Sequence, residues 1–588
     1  MPQLRIALAQ VNPTVGALAG NIAMVEQAVK AAARQGAHLV ALPEMVVTGY
    51  PVEDLVLRSA FVEASRTATN ELAGRLEADG LGGVAVILGY LDRDMSAPDR
   101  LGIPKGSPQN AAAVISGGRV VARTSKHHLP NYGVFDEYRY FVPGHDALVV
   151  RVHGIDVAVS ICEDIWQDGP SLAARAAGAG LMLVINGSPY EANKDDVRAE
   201  LCARRAAEAG CPLAYVNMVG GQDELVFDGD SLVVTESGAV IARSPQFEED
   251  LLIADLELAA ATATGNPTCG DLTVRRVDLG SPPVEAYDPR PATKSPWLED
   301  EGEIYGALVL GLRDYVLKNG FHSVLLGLSG GIDSTLTAVI ACDAIGAANV
   351  FGVSNPSDWS SGHSVDDAAE LARRTGINLE TIPIGGLFEA FQKQLSLDGL
   401  AEENLQARIR AVIWMGLSNQ HGHLVLACGN KSELAVGYST LYGDAVGGYA
   451  PIKDVAKTLV WKLAEWRNKT AADRGETPPI PERTISKAPS AELRPGQLDT
   501  DSLPDYQLLD EILDAYVEQD RGAAELVRQG FDPELVSRVL TLVDHAEYKR
   551  RQYPPGPKIS TRNFGRDRRL PITNAWERDP ASSGHPPR

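Results

Sequence analysis

The sequence predicts an α/β fold in two domains, a mixed sandwich followed by a doubly wound parallel sheet. Short apolar runs of strand length alternate with amphipathic segments along most of the chain. In the first half, tight glycine turns interrupt this rhythm and imply hairpins between neighbouring strands. The second half holds, early on, a strand, a glycine-rich turn and a helix start, an order suited to nucleotide binding at the strand ends. At 588 residues the chain exceeds what one ordinary core holds, so two large domains are the natural expectation.

Leu4–Gln10 alternates as a strand, and Asn21–Gln35 reads as a helix with Ile22, Val25 and Val29 on one face. His38–Leu42, Val84–Tyr90, Ala111–Ile115, Val120–Thr124, Asp156–Ile161, Leu181–Ile185 and Leu213–Val216 continue the strand series. Gly117-Gly118 and Ser237-Gly238 are the expected hairpin turns. Hairpins mixed with crossover helices imply a sandwich rather than one parallel sheet. From 265 to 298 the chain is proline-rich without clear periodicity and is expected to be a linker over a domain surface. Helix is expected again at Glu303–Lys318, then strand at Ser323–Leu326 and helix through Thr335–Ala341. Strands at Val350–Val353, Leu379–Ile384 and His423–Ala427 alternate with helices at Val365–Thr375 and Asn404–Gln420. The expected domains are therefore 1–264 and 299–575, joined by 265–298, with 576–588 a polar, disordered tail.

Composition excludes several classes. The formal net charge of -23 argues against a general nucleic-acid binder. No apolar run reaches the roughly 18 residues of a membrane span, and the N-terminus lacks a signal-peptide core. The six cysteines, at 162, 202, 211, 269, 342 and 428, show no metal-type pairing, which fits free thiols in a reducing cytoplasm.

Two groups of residues carry chemistry. In the first half Glu44, Lys126 and Cys162 each sit at or just past the end of an apolar strand. Cys162 precedes a turn expected to expose its sulfur, Lys126 could lower its pKa, and Glu44 could take its proton and later activate water. A lone cysteine at a strand end is more often a small packed hydrophobe, and Cys202 and Cys211 read that way. The adjacent His127 and His128 are better read as structural than as bases. In the second half Gly327, Leu328, Ser329, Gly330, Gly331, Ile332, Asp333 and Ser334 form a loop whose amides could cradle phosphate. It lacks the lysine of a P-loop. Between Lys549 and Arg569 stand eight Lys or Arg against one Asp, a run expected to meet an anionic dinucleotide or an acidic partner face.

As a set, Glu44, Lys126 and Cys162 resemble the Glu-Lys-Cys triad of the nitrilase (carbon–nitrogen hydrolase) superfamily, over about Leu4 to Asp255. Tyr50-Pro51 and Asn186-Gly-Ser188 add to the likeness. The resemblance implies an αββα sandwich in which the cysteine attacks an amide, ammonia leaves, and the thioester is hydrolysed, with the lysine also steadying the oxyanion. Tyr132, Glu137, Ser188 and Lys194 match positions resembling the glutamine-holding segments of the glutaminase branch.

Ser329–Ser334 resembles the loop of the ATP pyrophosphatases, which adenylate a substrate. With Glu403–Arg410, Gly429–Glu433, Tyr442–Asp444, Lys453–Lys457, Pro489–Gln497 and Glu547–Arg551, the second half is similar to the NAD+ synthetase family, in its glutamine-dependent form. That implies a Rossmann-like domain of the adenine nucleotide α-hydrolase type. It also implies phosphate contacts from the loop, Cys428 and Lys457, and dinucleotide contacts from Asn404, Arg408, Glu433 and Lys549. Mg2+ accompanying ATP would sit on Asp333 and Glu433, with no prosthetic group. The implied substrates are ATP, L-glutamine and deamido-NAD+, with an interdomain ammonia tunnel and a homo-oligomer built on a synthetase-domain dimer. The likeness departs at Cys428, where the family commonly has Thr, and at Asn355–Ser361, where a Met-Pro-Ser start is usual. The rivals are another glutamine-fed ATP pyrophosphatase, and a nitrilase-type amidase whose second half only binds nucleotide.

Overall fold

In the computed structural model, residues 1–95, 104–574 and 576 are described. The tail expected at 576–588 lies outside them apart from Trp576. The chain forms two compact units, one of residues 1–222 and 226–298, the other of 223–225 and the chain from Glu299 onward.

The first unit is a four-layer αββα sandwich. A six-stranded sheet runs in the order Asp250–Glu257, Gln3–Gln10, Leu39–Ala41, Ala85–Arg93, Pro108–Ser116, Arg119–Ser125. An eight-stranded sheet runs Val240–Arg243, Leu232–Val234, Leu213–Asn217, Leu181–Asn186, Ile155–Ile161, Asp146–Val152, Leu272–Asp278, Thr268–Cys269. Period-two alternation explains the layering. Leu4, Ile6 and Leu8 face Ile155, Val157 and Val159 in the core between the sheets. Ala7 and Ala9, one residue out of phase, pack instead under Ile22, Val25 and Val29 of the helix Leu18–Arg34. On the far side Met182 and Val184 pack against Leu201, Cys202 and Ala206 of the helix Lys194–Ala209. The hairpins expected at Gly117-Gly118 and Ser237-Gly238 join antiparallel strands.

The segment expected to be a linker is different. Leu272–Asp278 pairs in parallel with Asp146–Val152, and the first unit extends to Leu298. Only this short run within 265–298 alternates, so the surrounding prolines hid it.

The second unit is built on four parallel strands in the order Asn378–Thr381, Val350–Ser354, Val324–Gly327, Leu424–Leu426. The helix Gly399–His421 covers one face through Ile413, Trp414 and Leu417, and Ile332–Ile345 packs against the two central strands. A helical cluster from Tyr506 to His545 closes over Ala435 and Val436. Among the described residues no helix is long and apolar enough to cross a membrane.

Gly89 is one position where backbone crowding decides the residue. A Cβ there would lie 2.1 Å from the Met45 nitrogen and 2.5 Å from the Glu44 Cα. Gly89→Ala is therefore expected to push the Glu44 segment off its strand and destabilise the unit by about 1–3 kcal/mol, read as a lowered melting temperature.

Candidate active sites

Three strand ends bring the first set together. Glu44 follows Leu39–Ala41, Lys126 follows Arg119–Ser125, and Cys162 follows Ile155–Ile161. Glu44 and Lys126 are buried completely or nearly so, and Cys162 is 5% exposed. The Lys126 Nζ donates to Glu44 Oε1 at 2.8 Å and to Glu137 Oε1 at 3.0 Å. Asn110 Nδ2 and the Gly187 amide complete the Glu44 carboxylate at 2.6 and 2.7 Å, and Tyr50 Oη donates to Glu137 at 2.9 Å.

The electrostatics correct two expectations. Cys162 is buried rather than exposed, and its thiol is pushed well above the ordinary cysteine range by burial and by Glu44. Lys126 pulls the other way but does not win, because its charge is already shared by two carboxylates. Burial also works against the Lys126 ammonium, yet Glu137 and Glu44 carry its pKa well above the usual lysine value. Burial, opposed by Lys126, lifts Glu137 to about 7. Cys162 itself adopts φ +47°, a left-handed conformation that costs a non-glycine residue about 1–3 kcal/mol and is held by its surroundings.

Asp164 supplies much of that hold. Its Oδ1 accepts from the amides of His127 and His128 at 3.0 and 2.9 Å, and its Oδ2 from Ile161 at 3.0 Å. One buried carboxylate thus ties the residue after Lys126 to the residue before Cys162. No periodicity could have assigned that role, because the amides Asp164 accepts from lie on two separate segments.

The residues expected to hold glutamine divide. Glu137 lies inside the ion cluster, with its Oε2 buried and, among the described residues, without a hydrogen-bond partner. Tyr132 has an exposed ring, and its hydroxyl donates to Glu163 Oε2 at 2.9 Å. Ser188 is buried, its amide donating to Asn217 at 2.9 Å. Lys194 Nζ donates to the Pro189 carbonyl at 2.9 Å, 5.8 Å from the centre of the Trp166 ring.

The second set forms at adjacent strand ends in the other unit. The loop from Gly327 to Ser334 turns at Gly330, φ +75°, where a Cβ would lie 2.2 Å from the Ser364 carbonyl oxygen. Ser329 Oγ accepts from the Gly331 amide at 3.2 Å, and Ser334 Oγ donates to the Gly331 carbonyl at 3.1 Å. Asp333 Oδ1 accepts from Asn430 Nδ2 at 2.9 Å, while Oδ2 accepts from the buried Lys457 ammonium. Glu433 Oε1 lies 3.5 Å from that same ammonium. Burial, with Asp333 beside it, raises Glu433 to about 8. This pair of oxygen-donor carboxylates with a single lysine between them is short of positive charge, which suits a hard divalent cation.

Two family models match this chain: carbon-nitrogen hydrolase over residues 5–266 and NAD synthase over residues 304–553. The glutamine-dependent NAD(+) synthetase of Rhodobacter capsulatus is 45% identical, with 98% of this chain and 99% of that protein covered. That of Thermotoga maritima is 43% identical over 98% of this chain and 100% of its own length. The chain belongs to the glutamine-dependent NAD(+) synthetase family. Among solved structures, the synthetase of Acinetobacter baumannii, in complex with adenosine diphosphate, is 40% identical with a TM-score of 0.72, covering 98% of this chain and all of that one. The Cytophaga hutchinsonii structure, 21% identical with a TM-score of 0.77 over 97% of this chain and 98% of that one, shares the fold.

Within this family framework, the residues expected to face a dinucleotide do not all meet. Asn404 Oδ1 accepts from Thr440, Arg408 Nε donates to the Leu441 carbonyl, and Lys549 Nζ donates to the Gly437 and Ser439 carbonyls at 2.7 Å. All three grip the segment 437–441, whereas Glu433 belongs to the Asp333–Lys457 group. Lys549 is thus held by the Gly437 and Ser439 carbonyls just past the helix Lys431–Val436. The basic run is likewise consumed internally: Arg550 and Arg551 on Glu547, Arg562 on Asp520, Arg568 on Asp544. Cys428 is partly buried, its thiol pushed up to about 12 by burial, with the Thr337 hydroxyl beside it working the other way. In the departing loop, Asn355 accepts from Trp414 Nε1 at 2.7 Å, and Ser361 and Ser364 both donate to Glu492 at 2.8 Å.

A raised pKa has a definite sign. The Cys162 thiol is expected to stay protonated at neutral pH, and its thiolate fraction to grow about tenfold per pH unit below the pKa. Alkylation of the Cys162 peptide by iodoacetamide, followed by mass spectrometry, should accelerate steeply between about pH 7 and pH 9. A rate flat across that range would mean the thiolate is already formed.

Proposed function

We propose that this chain makes NAD+ from deamido-NAD+ at the expense of ATP, taking ammonia from glutamine and releasing glutamate, AMP and pyrophosphate. The observation that carries the reading is the buried Glu44–Lys126–Cys162 cluster in a chain that also holds the Gly327–Ser334 loop.

In the first unit glutamine's side-chain carbonyl meets a neutral thiol. Glu44 takes the Cys162 proton as sulfur attacks the carbonyl carbon, and Lys126 steadies the oxyanion. Glu44 returns that proton to the departing nitrogen, so ammonia rather than amide ion leaves. It next deprotonates the water that cleaves the thioester, and glutamate departs. Glu137 keeps Lys126 charged, and its unpartnered Oε2 is the acceptor we assign to the α-ammonium of glutamine. Tyr132, Ser188 and Lys194 are assigned to the rest of the amino-acid end.

In the second unit the amides of Gly327–Ser334 hold the ATP phosphates. Asp333 and Glu433 would hold Mg2+, which neutralises phosphate charge when bound. Lys457 and Arg408 are assigned to phosphate oxygens. The nicotinate carboxylate of deamido-NAD+ attacks the α-phosphorus and pyrophosphate leaves. Ammonia then adds to the activated carbonyl carbon, loses a proton, and AMP departs with the carboxylate oxygen. Asn404, Arg408 and Glu433 are assigned to the dinucleotide. Lys549 is assigned instead to holding the 437–441 segment.

Incubation with ATP, Mg2+, glutamine and deamido-NAD+ should give NAD+, AMP and pyrophosphate; release of ADP, or no NAD+, would overturn the reading. Cys162→Ala should lower glutamine-driven synthesis at least a thousandfold and leave ammonia-driven synthesis within about threefold. Equal loss of both would break the proposed division of labour. Gly330→Ala should do the reverse, abolishing synthesis from either nitrogen source while glutamine hydrolysis persists.

A further inference from the structure

Beside the Lys126 strand end, but outside the machinery above, lies a cluster made by three segments of the first unit. One ligand-capable atom each from His127, His145 and Asp271 falls within 4.8 Å of the others. We infer that this cluster is a binding site for a divalent transition-metal ion of the zinc class, with two imidazoles and one carboxylate as protein ligands.

The backbone places the three side chains. Asp146–Val152 and Leu272–Asp278 pair in parallel with Asp146 opposite Thr273, which sets His145 and Asp271 near one another at the starts of neighbouring strands. The Thr273 amide donates to the His145 carbonyl at 3.1 Å, and the Gly144 amide donates to the Lys126 carbonyl at 2.8 Å, drawing the His127 segment to the same point.

The chemistry of His127 then indicates the ligand. Its Nδ1 lies 2.7 Å from the Gly144 carbonyl oxygen, which can only accept, so Nδ1 carries the proton. That leaves a lone pair on Nε2, which lies 3.5 Å from Asp271 Oδ1. A lone pair beside a carboxylate needs positive charge between them, either a second ring proton or a cation. A histidine that donates one ring N–H to a carbonyl while offering the other nitrogen is the arrangement metal-binding imidazoles adopt. His145 adds a second nitrogen donor, which selects borderline metals over Mg2+. His127 is nearly buried, whereas His145 and Asp271 are exposed, so an ion can enter from solvent and keep water in its remaining positions.

The test uses the full chain stripped with chelator and titrated calorimetrically with Zn2+, and separately with Co2+ by absorption. Wild type should bind one ion per chain, and the Co2+ form should show no thiolate charge-transfer band. His145→Ala and Asp271→Asn should each weaken that binding at least tenfold. Both positions are exposed, so glutamine-driven NAD+ formation, which needs the first unit intact, should be unchanged and serves as the check on folding. Undiminished Zn2+ binding in both variants, a thiolate band, or no binding by wild type would overturn the assignment. In the last case the second ring proton alone supplies the charge.

Discussion

The ammonium of Lys126 is the charge around which the first unit is arranged. It is buried with two carboxylates, Glu44 and Glu137, each of which would be costly to desolvate without a partner. The three are tolerated because other donors support the carboxylates: Asn110 and Gly187 finish Glu44, and Tyr50 shares Glu137 Oε1 with Lys126. Removing Lys126 would leave two buried carboxylates without a cation. The donors come from several segments of both sheets' edges, so the cluster also reports that the sandwich has closed in register.

The same charge count sets the nucleophile's resting state. With one cation divided between two anions, little positive field remains for sulfur, and burial keeps Cys162 a thiol. Activation therefore has to come from proton transfer to Glu44 as the substrate carbonyl arrives. A resting thiol of this kind is also protected from oxidation, since the thiolate is the reactive form.

In the second unit the imbalance runs the same way. Asp333 and Glu433 share one lysine, and Glu433 rises to about 8 as a result of burial and of Asp333. A polyanionic substrate could not approach such a group without accompanying cations. Further positive charge comes with the nucleotide, because Arg550, Arg551, Arg562 and Arg568 of the nearby basic run are spent on Glu547, Asp520 and Asp544.

Local pattern was enough for much of this protein. Strand alternation at Leu4–Gln10 and Ile155–Ile161 located the sandwich, and the Ser329–Ser334 glycines located the phosphate loop, because period and backbone freedom are written residue by residue. Glu44, Lys126 and Cys162 were legible because each terminates a strand, where side chains leave the sheet. Tertiary structure alone decided what they do to one another. That Lys126 serves Glu137 as well as Glu44, that Cys162 is buried, that Lys549 caps a helix end, and that 272–278 is a strand all depend on partners distant in sequence. Coulomb and desolvation energies are set by distance and burial, and neither is a property of a residue's neighbours along the chain.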